Sequence, residues 1–175
     1  MGRSVNSEQF YLSHEEIKAE PYHYTVCGLT NIYLANGFTI DEYDGQEIVA
    51  VKDVDGLHKA IGRHLVVHRK GLAPDEVRFL RKTLDMTQAE LGKALGCDSQ
   101  SVARWEKGVC AIPAATEKLL RAYFFANNLN SDAELPLLKA LIASALGELD
   151  DMDEWPEQAE FRFCNRWEEP DRLAA

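Results

Sequence analysis

Residues 79–108 constrain the fold of this chain more than any other stretch of its sequence. They read FLRKTLDMTQAELGKALGCDSQSVARWEKG. Leu91 and Leu95 are spaced to share one helical face, and Val102 is placed to pack inward from a second helix beyond Gly96. Glycine permits the left-handed backbone of a tight turn between two helices. The segment therefore predicts two short helices joined by a turn.

The residues around these helices agree with that prediction. Thr87 can cap the first helix, and Ala89 is small where two helices must cross closely. Trp105 is spaced with Val102 to fill the edge of a core, which we favour over base stacking. Gly108 is placed to end the second helix. Each residue type suits a helix-turn-helix.

The sequence after residue 70 predicts a helical domain. Pro74 opens a helix with acidic residues in its first turn, and breaks are expected at Asp85, at both glycines and at 127–131. The expected helices are 74–84, 87–95, 99–107, 113–127 and 134–146.

The preceding residues predict a small β-rich module. The stretch IYLANGFTI places Asn36-Gly37, a favourable hairpin turn, between two strands, and DEYDGQ and EIVAVK add a second turn and a further strand. An acidic start at 53–56 then opens a helix with one buried stripe, formed by Leu57, Ile61 and Leu65. The fold class is therefore α+β, with a β-rich module before an all-α domain. The expected division is a flexible arm (1–21), a small α+β module (22–68), the helical domain (69–130), and a C-terminal helix with an acidic tail (131–175).

Charge is distributed unevenly along the chain. The net charge of -10 is unfavourable for binding phosphates, but residues 66–127 carry ten basic and seven acidic side chains. Both flanking regions are net acidic. The only positive third thus contains the helix-turn-helix pattern, as expected for a nucleic-acid footprint, although a solvated face of mixed charge is the alternative.

The segment TQAELGKALGCDSQSVARWEKG resembles the XRE/Cro family of helix-turn-helix domains, which have a λ-repressor-like five-helix fold. The resemblance covers about residues 72–127. The positions in register without a gap are Gln88, Ala89, Leu91, Gly96, Val102, Trp105, Glu106 and Gly108. It implies a sequence-specific DNA-binding regulator, a dimeric repressor of its own operon, with helix 99–107 in the major groove of operator DNA.

The resemblance also assigns roles to single residues. Gln88 would bind a phosphate at the start of its helix, and Ser99 would face the groove. Gln100 would pair with adenine, and Arg104 with guanine or a phosphate. Asp98 would accept from cytosine or cap its helix, and capping is favoured.

Four further residues complete these assignments. Ser101 and Lys107 are candidate phosphate contacts. Arg81 and Glu106 match a buried ion pair that fastens the first helix of such domains to the third. The loop VCAIP departs from the family because it lacks basic residues. A protein-interaction module with weak or lost DNA binding is therefore the alternative function.

Residues 22–66 weakly resemble the N-terminal module of MqsA-type antitoxin regulators. That resemblance implies an antitoxin whose module binds a toxin, or a small effector in its place. Metal binding does not carry over, because Cys27 stands alone where zinc-ribbon members have paired CxxC motifs. Surplus apolar residues in 119–146 predict a homodimer contact, with burial inside the monomer as the alternative.

Other classes of function find little support. No nucleophile with a positioned base and no phosphate loop is recognisable, so we expect neither an enzyme nor a cofactor. No run of apolar residues is long enough to span a membrane, and the cysteines are isolated. We expect a cytoplasmic protein without a metal site.

Overall fold

The computed structural model describes residues 20–129, 134–145, 159–164 and 166–168. The described residues form two compact units. The β unit holds 20–25, 30–57, 159–164 and 166–168, and the helical unit holds 26–29, 58–129 and 134–145. Residues 1–19 of the predicted arm, most of the acidic tail and Leu146 lie outside the described residues.

The elements confirm the α+β class. The strands are β1 (Tyr22–His23), β2 (Ile32–Leu34), β3 (Phe38–Tyr43), β4 (Gln46–Val51), β5 (Ala159–Cys164) and β6 (Arg166–Glu168). The helices are α1 (Val54–His68), α2 (Pro74–Thr83), α3 (Gln88–Leu95), α4 (Ser99–Glu106), α5 (Ala114–Asn127) and α6 (Leu135–Ala145).

The main sheet of the β unit joins distant parts of the chain. Its strand order is β1-β2-β5-β6, and β2 pairs in parallel with β5 while the outer pairs are antiparallel. Ile32, Leu34, Phe161 and Trp167 are buried. The sequence near β2 carries no signal that C-terminal strands complete this sheet.

The hairpin expected at Asn36-Gly37 is wrong. Strand β2 pairs with β1 and β5, and β3 pairs with β4 in a separate two-stranded sheet. Gly37 does take a positive φ of 72°, but it leads the chain from one sheet to the other. The second predicted turn, in DEYDGQ, is confirmed as a hairpin turn at Asp44-Gly45, whose φ values are 53° and 73°.

Helix α1 follows its sequence signals. The Asp53 carboxylate accepts a 3.1 Å hydrogen bond from the Gly56 amide and so caps the first turn. Leu57, Ile61 and Leu65 are fully buried, which confirms the predicted stripe. Burial of this stripe fixes which face of α1 points inward.

The other five helices match their predicted limits to within one residue at each end. The core of the helical unit includes Leu80, Leu91, Val102, Leu120 and Phe124, all fully buried. None of the described helices combines the length and apolar character needed to span a membrane.

Candidate nucleic-acid interface

Helix α3 starts at a reciprocal cap. The Thr87 hydroxyl accepts from the Glu90 amide at 3.2 Å, and the Glu90 carboxylate accepts from the Thr87 amide at 2.7 Å. The hydrogen bond from the Thr87 amide, reinforced by its hydroxyl, lowers the pKa of Glu90. This capping box fixes the first residue of the helix, as the position of Thr87 predicts.

The turn between α3 and α4 depends on two glycines. Gly96 ends α3 in the left-handed conformation, with φ 73°, and the next amide, of Cys97, donates to the Gly92 carbonyl at 2.8 Å. A Cβ on Gly92 would lie 2.8 Å from the Cys97 carbonyl oxygen. The close approach therefore falls at Gly92. The expectation that Ala89 occupies the crossing is wrong, because Ala89 is exposed.

Helix α4 starts at Asp98. Its carboxylate accepts a 2.6 Å hydrogen bond from the Ser101 amide, and this bond is the main reason that the pKa of Asp98 is lowered. The side chain therefore caps the helix as an anion, the role that the sequence analysis favoured. Ser101 is half-buried beside this cap.

Helix α4 has two faces of different character. Val102 and Trp105 are buried on its inner face. Ser99, Gln100, Arg104 and Lys107 are exposed, the last of these at the C-cap of the helix. Since Gln100 and Arg104 are four residues apart, their side chains lie one turn apart on the same outer face. An amide and a guanidinium so placed offer the hydrogen-bond groups that read adenine and guanine.

The outer face is held in place by a buried cluster around Glu106. Arg81 donates to both carboxylate oxygens of Glu106, at 2.6 and 3.1 Å. Arg81 also donates to the Met86 carbonyl at 2.7 Å, which fastens the loop before α3. Arg78 donates to the Glu106 backbone carbonyl at 2.6 Å. Helices α2 and α4 are thus tied together through one carboxylate.

Gln88 also belongs to this cluster, a contact that no sequence signal predicted. Its amide nitrogen donates to a Glu106 carboxylate oxygen at 2.8 Å, so it links α3 to α4. The resemblance had assigned Gln88 to a phosphate, and that contact stays a prediction. Arg78 was also missed, because an exposed arginine in a mixed-charge helix carries no distinctive sequence signal.

Glu106 is negatively charged at neutral pH in this setting. Burial by itself would raise its pKa, but hydrogen bonds from Arg81 and Gln88 and the charges of Arg81 and Arg78 outweigh burial, and the net effect lowers the pKa. The carboxylate is therefore a fixed anion that aligns three side chains from two neighbouring helices.

Basic side chains outside α4 differ in how far they are available to bind a phosphate. Lys82, Lys93 and Lys70 are exposed. Arg69 instead pairs with the buried Glu76 at 3.0 Å. In the loop after α4, Val109 is 63% exposed. The loop therefore offers apolar surface where a phosphate contact would need a cation.

His23 and Cys27, four residues apart in the sequence, do not form a metal site within the described ranges. His23 stacks on Tyr33, with ring centroids 4.7 Å apart, and its Nε2 lies 2.7 Å from the Thr30 carbonyl oxygen. Burial raises the pKa of the Cys27 thiol, which disfavours the thiolate that a metal binds. No group of three or more histidine, cysteine, aspartate or glutamate side chains in this part of the chain is arranged to hold a metal ion.

Comparison with known proteins identifies the helical segment. Residues 77–122, about a quarter of the chain, match a family model described as Helix-turn-helix. The match includes α3, the turn and α4, and it supports the XRE/Cro resemblance and a DNA-binding transcription regulator. A search of curated proteins found no match, and neither did a search of solved structures. The MqsA resemblance over residues 22–66 lies outside the matched segment and stays a prediction.

Proposed function

We propose that this protein is a transcriptional repressor that binds operator DNA as a homodimer and controls the operon that encodes it. The observation that carries the proposal is the arrangement of α4. Gln100 and Arg104 are exposed one turn apart on its outer face, while Glu106 is buried and bonded to neighbouring helices. A helix held this rigidly can place two side chains against base edges at little cost in conformational entropy.

The helix caps add to the proposed interface. Ser99 and Gln100 lie at the N-terminus of α4, where backbone amides favour a nearby phosphate. The backbone amides at the start of α3, where Gln88 is the first residue, are placed in the same way, while the Gln88 side chain stays bonded to Glu106. Ser101 and Lys107 are the further phosphate contacts. These groups would set the register of α4 on the duplex, and Gln100 and Arg104 would read the sequence.

The dimer part of the proposal rests on exposed apolar residues of the helical unit. Leu120, Phe124 and Phe125 are buried inside the unit, so they belong to its own core. Leu119, Leu135 and Ile142 remain exposed on α5 and α6. A dimer that buries these three residues against the same residues of a second copy would have two-fold symmetry. This symmetry matches two operator half-sites.

The test is fluorescence anisotropy with labelled DNA from upstream of the protein's own gene and a scrambled duplex, at two salt concentrations. We expect the upstream DNA to bind more tightly and both affinities to fall as salt rises. Gln100→Ala and Arg104→Ala should each lose about 1–3 kcal/mol of the discrimination, because each removes a pair of hydrogen bonds to one base.

Two exposed residues supply matched control variants. Gln46→Ala in β4 and Lys59→Ala in α1 remove the same kinds of side chain from elements outside the helix-turn-helix and should leave the discrimination unchanged. Equal binding of both duplexes by the unmutated protein would reject its own promoter as the target. No binding at either salt concentration would favour the interaction-module alternative.

A further inference from the structure

The β3–β4 hairpin is the most exposed regular structure in the β unit. Tyr43 is 74% exposed, and Ile48 and Ile40 are 49% and 45% exposed. Since directly opposed residues share a face, one whole face of the hairpin is open to solvent, formed by Thr39, Asp41, Tyr43, Gln46, Ile48 and Ala50. Tyr43 and Ile48 are diagonal neighbours on that face, so they form a small apolar patch.

The backbone edges of the hairpin are also open as far as the described residues show. The Lys52 amide donates to the Gly37 carbonyl at 2.9 Å, which sets the alternation of hydrogen-bonded pairs along the ladder. By that alternation the peptide groups of Ile40 and Glu42 point outward from β3, and those of Glu47 and Val49 point outward from β4. Neither edge pairs with another strand among the described residues.

A two-stranded hairpin of this kind is marginal in water, and unpaired edges readily accept a further strand. Its base is anchored, because Phe38 is buried in the β unit. Residues 39–48, in contrast, are exposed and gain little from the core. An anchored ladder with an open apolar face and open edges has the features used in strand addition, where backbone hydrogen bonds supply affinity.

The acidic charge of the hairpin determines which kind of partner strand can pair with it. Residues 38–51 include Asp41, Glu42, Asp44 and Glu47 and no lysine or arginine. Glu42 and Glu47 stand directly opposite each other across the ladder. A second copy that paired through this hairpin would bring further carboxylates alongside, and like charges at neighbouring positions destabilise a sheet. A strand carrying lysine or arginine would remove that repulsion.

We propose that the β3–β4 hairpin is a docking site for a protein partner that presents a lysine- or arginine-rich β-strand edge. The partner strand extends the ladder from one open edge, and its apolar side chains cover Tyr43 and Ile48. The site is built from the β unit and does not depend on the DNA-binding proposal.

The probe is a peptide of about eight alternating lysine and valine residues, the length of an ordinary strand. It is titrated into the full-length, isotope-labelled protein without DNA and followed by NMR. We expect chemical-shift changes confined to residues 38–51. At saturation, amide exchange should slow by about tenfold or more at Ile40 and Glu42, or at Glu47 and Val49, depending on the edge used.

Two control peptides separate strand addition from simple charge attraction. A peptide of the same charge that contains adjacent pairs of prolines turns one proline nitrogen toward the ladder in either register, so it cannot extend the ladder and should give no exchange protection. A glutamate-valine peptide should not bind, because its charges repeat those of the hairpin. Equal protection by either control, or no response to the lysine-valine peptide at the hairpin amides, would overturn the proposal.

Variants of the protein test the role of charge. Glu42→Gln combined with Glu47→Gln should weaken binding of the lysine-valine peptide about fivefold. Glu20→Gln combined with Asp85→Asn removes two exposed charges elsewhere and should change it far less. Equal weakening by both pairs would show attraction to net charge alone. Concentration-dependent self-association that the hairpin variants change would point to a second copy and reject the basic partner.

Discussion

The contacts that stabilise the helical unit internally join residues close in the chain, whereas those inside the β unit join residues far apart in the chain. In the helical unit, Glu106 is bonded to Arg81, 25 residues away, and to Gln88, 18 residues away. In the β unit, the Asn36 side chain exchanges two hydrogen bonds with the Phe163 backbone across 127 residues. The Trp167 indole donates to the Lys52 carbonyl across 115 residues.

This difference has a physical consequence for folding. Closing a long loop costs more chain entropy than closing a short one, and nonlocal contacts form more slowly. The helix-turn-helix can therefore form its contacts between residues of one short segment, at a small cost in chain entropy. The main sheet of the β unit needs two segments that are far apart in the chain to meet.

The largest expected effect is that of ending the chain after residue 156. This truncation removes β5 and β6, so β2 loses its parallel partner, and the buried side chains of Phe161 and Trp167 are lost from the β unit that contains β2. We expect residues 30–37 to lose their protection from amide exchange while α2 to α5 keep theirs. Exchange measured by mass spectrometry distinguishes the two units. Equal loss in both units would break the comparison.

A smaller effect is expected when alanine replaces either of two glycines that have nearly the same backbone conformation. Gly37 has φ 72° and Gly96 has φ 73°, so an alanine at either position costs about 1–2 kcal/mol of backbone strain. A Cβ at Gly37 would also lie 2.7 Å from a Trp167 ring carbon, whereas one at Gly96 meets nothing within 4 Å. We expect Gly37→Ala to lose about 1–3 kcal/mol more than Gly96→Ala, from overpacking.

Urea unfolding of the two glycine variants measures this difference. The shift should appear in the β unit for Gly37→Ala and in the helical unit for Gly96→Ala. Equal losses in the free energy of unfolding would mean that the Trp167 side chain moves aside at little cost. The long-range contact would then contribute little to the stability of the β unit.

The smallest expected effect concerns pH. The pKa of Glu106 is lowered in the fold, so its contribution to stability is full above the ordinary value of 4.5 and is lost as pH falls through the folded value. Glu76 is also buried, but burial raises its pKa despite the Ala73 amide and Arg69. Its charge therefore destabilises the fold at neutral pH, and the penalty is relieved as pH falls.

Because the pKa values of Glu106 and Glu76 are shifted in opposite directions, replacing each residue by glutamine should change the pH dependence of stability in opposite directions. Between neutral pH and about pH 3, Glu106→Gln should flatten the loss of stability of the helical unit, and Glu76→Gln should steepen it. Urea midpoints measured across this range check both. In the β unit, the side chains of Asn36 and Trp167 do not titrate, so these contacts provide an internal reference. A steeper profile for Glu106→Gln would contradict the direction of the Glu106 shift.

The sequence determined the helical unit almost completely, because its signals are local. Helical spacing placed the five helices, Gly96 and Asp98 marked the turn and the next cap, and Val102 and Trp105 identified the inner face of α4. The Arg81–Glu106 pair followed from the family resemblance. All of these depend on backbone conformation or on residues near each other in the chain.

The turn in DEYDGQ predicted the pairing of β3 with β4, but only the tertiary structure decided which strands form the main sheet. Ile32 and Leu34 form a strand as their residue types suggest, but nothing near them in the chain shows that their partner begins at Ala159. Asn36-Gly37 has the composition of a hairpin turn, yet β5 occupies the edge of β2 that a hairpin would have required. Gln88 likewise turned inward to Glu106. Local sequence fixes backbone tendencies, whereas pairing and side-chain direction depend on the free energy of contacts between residues that meet only after folding.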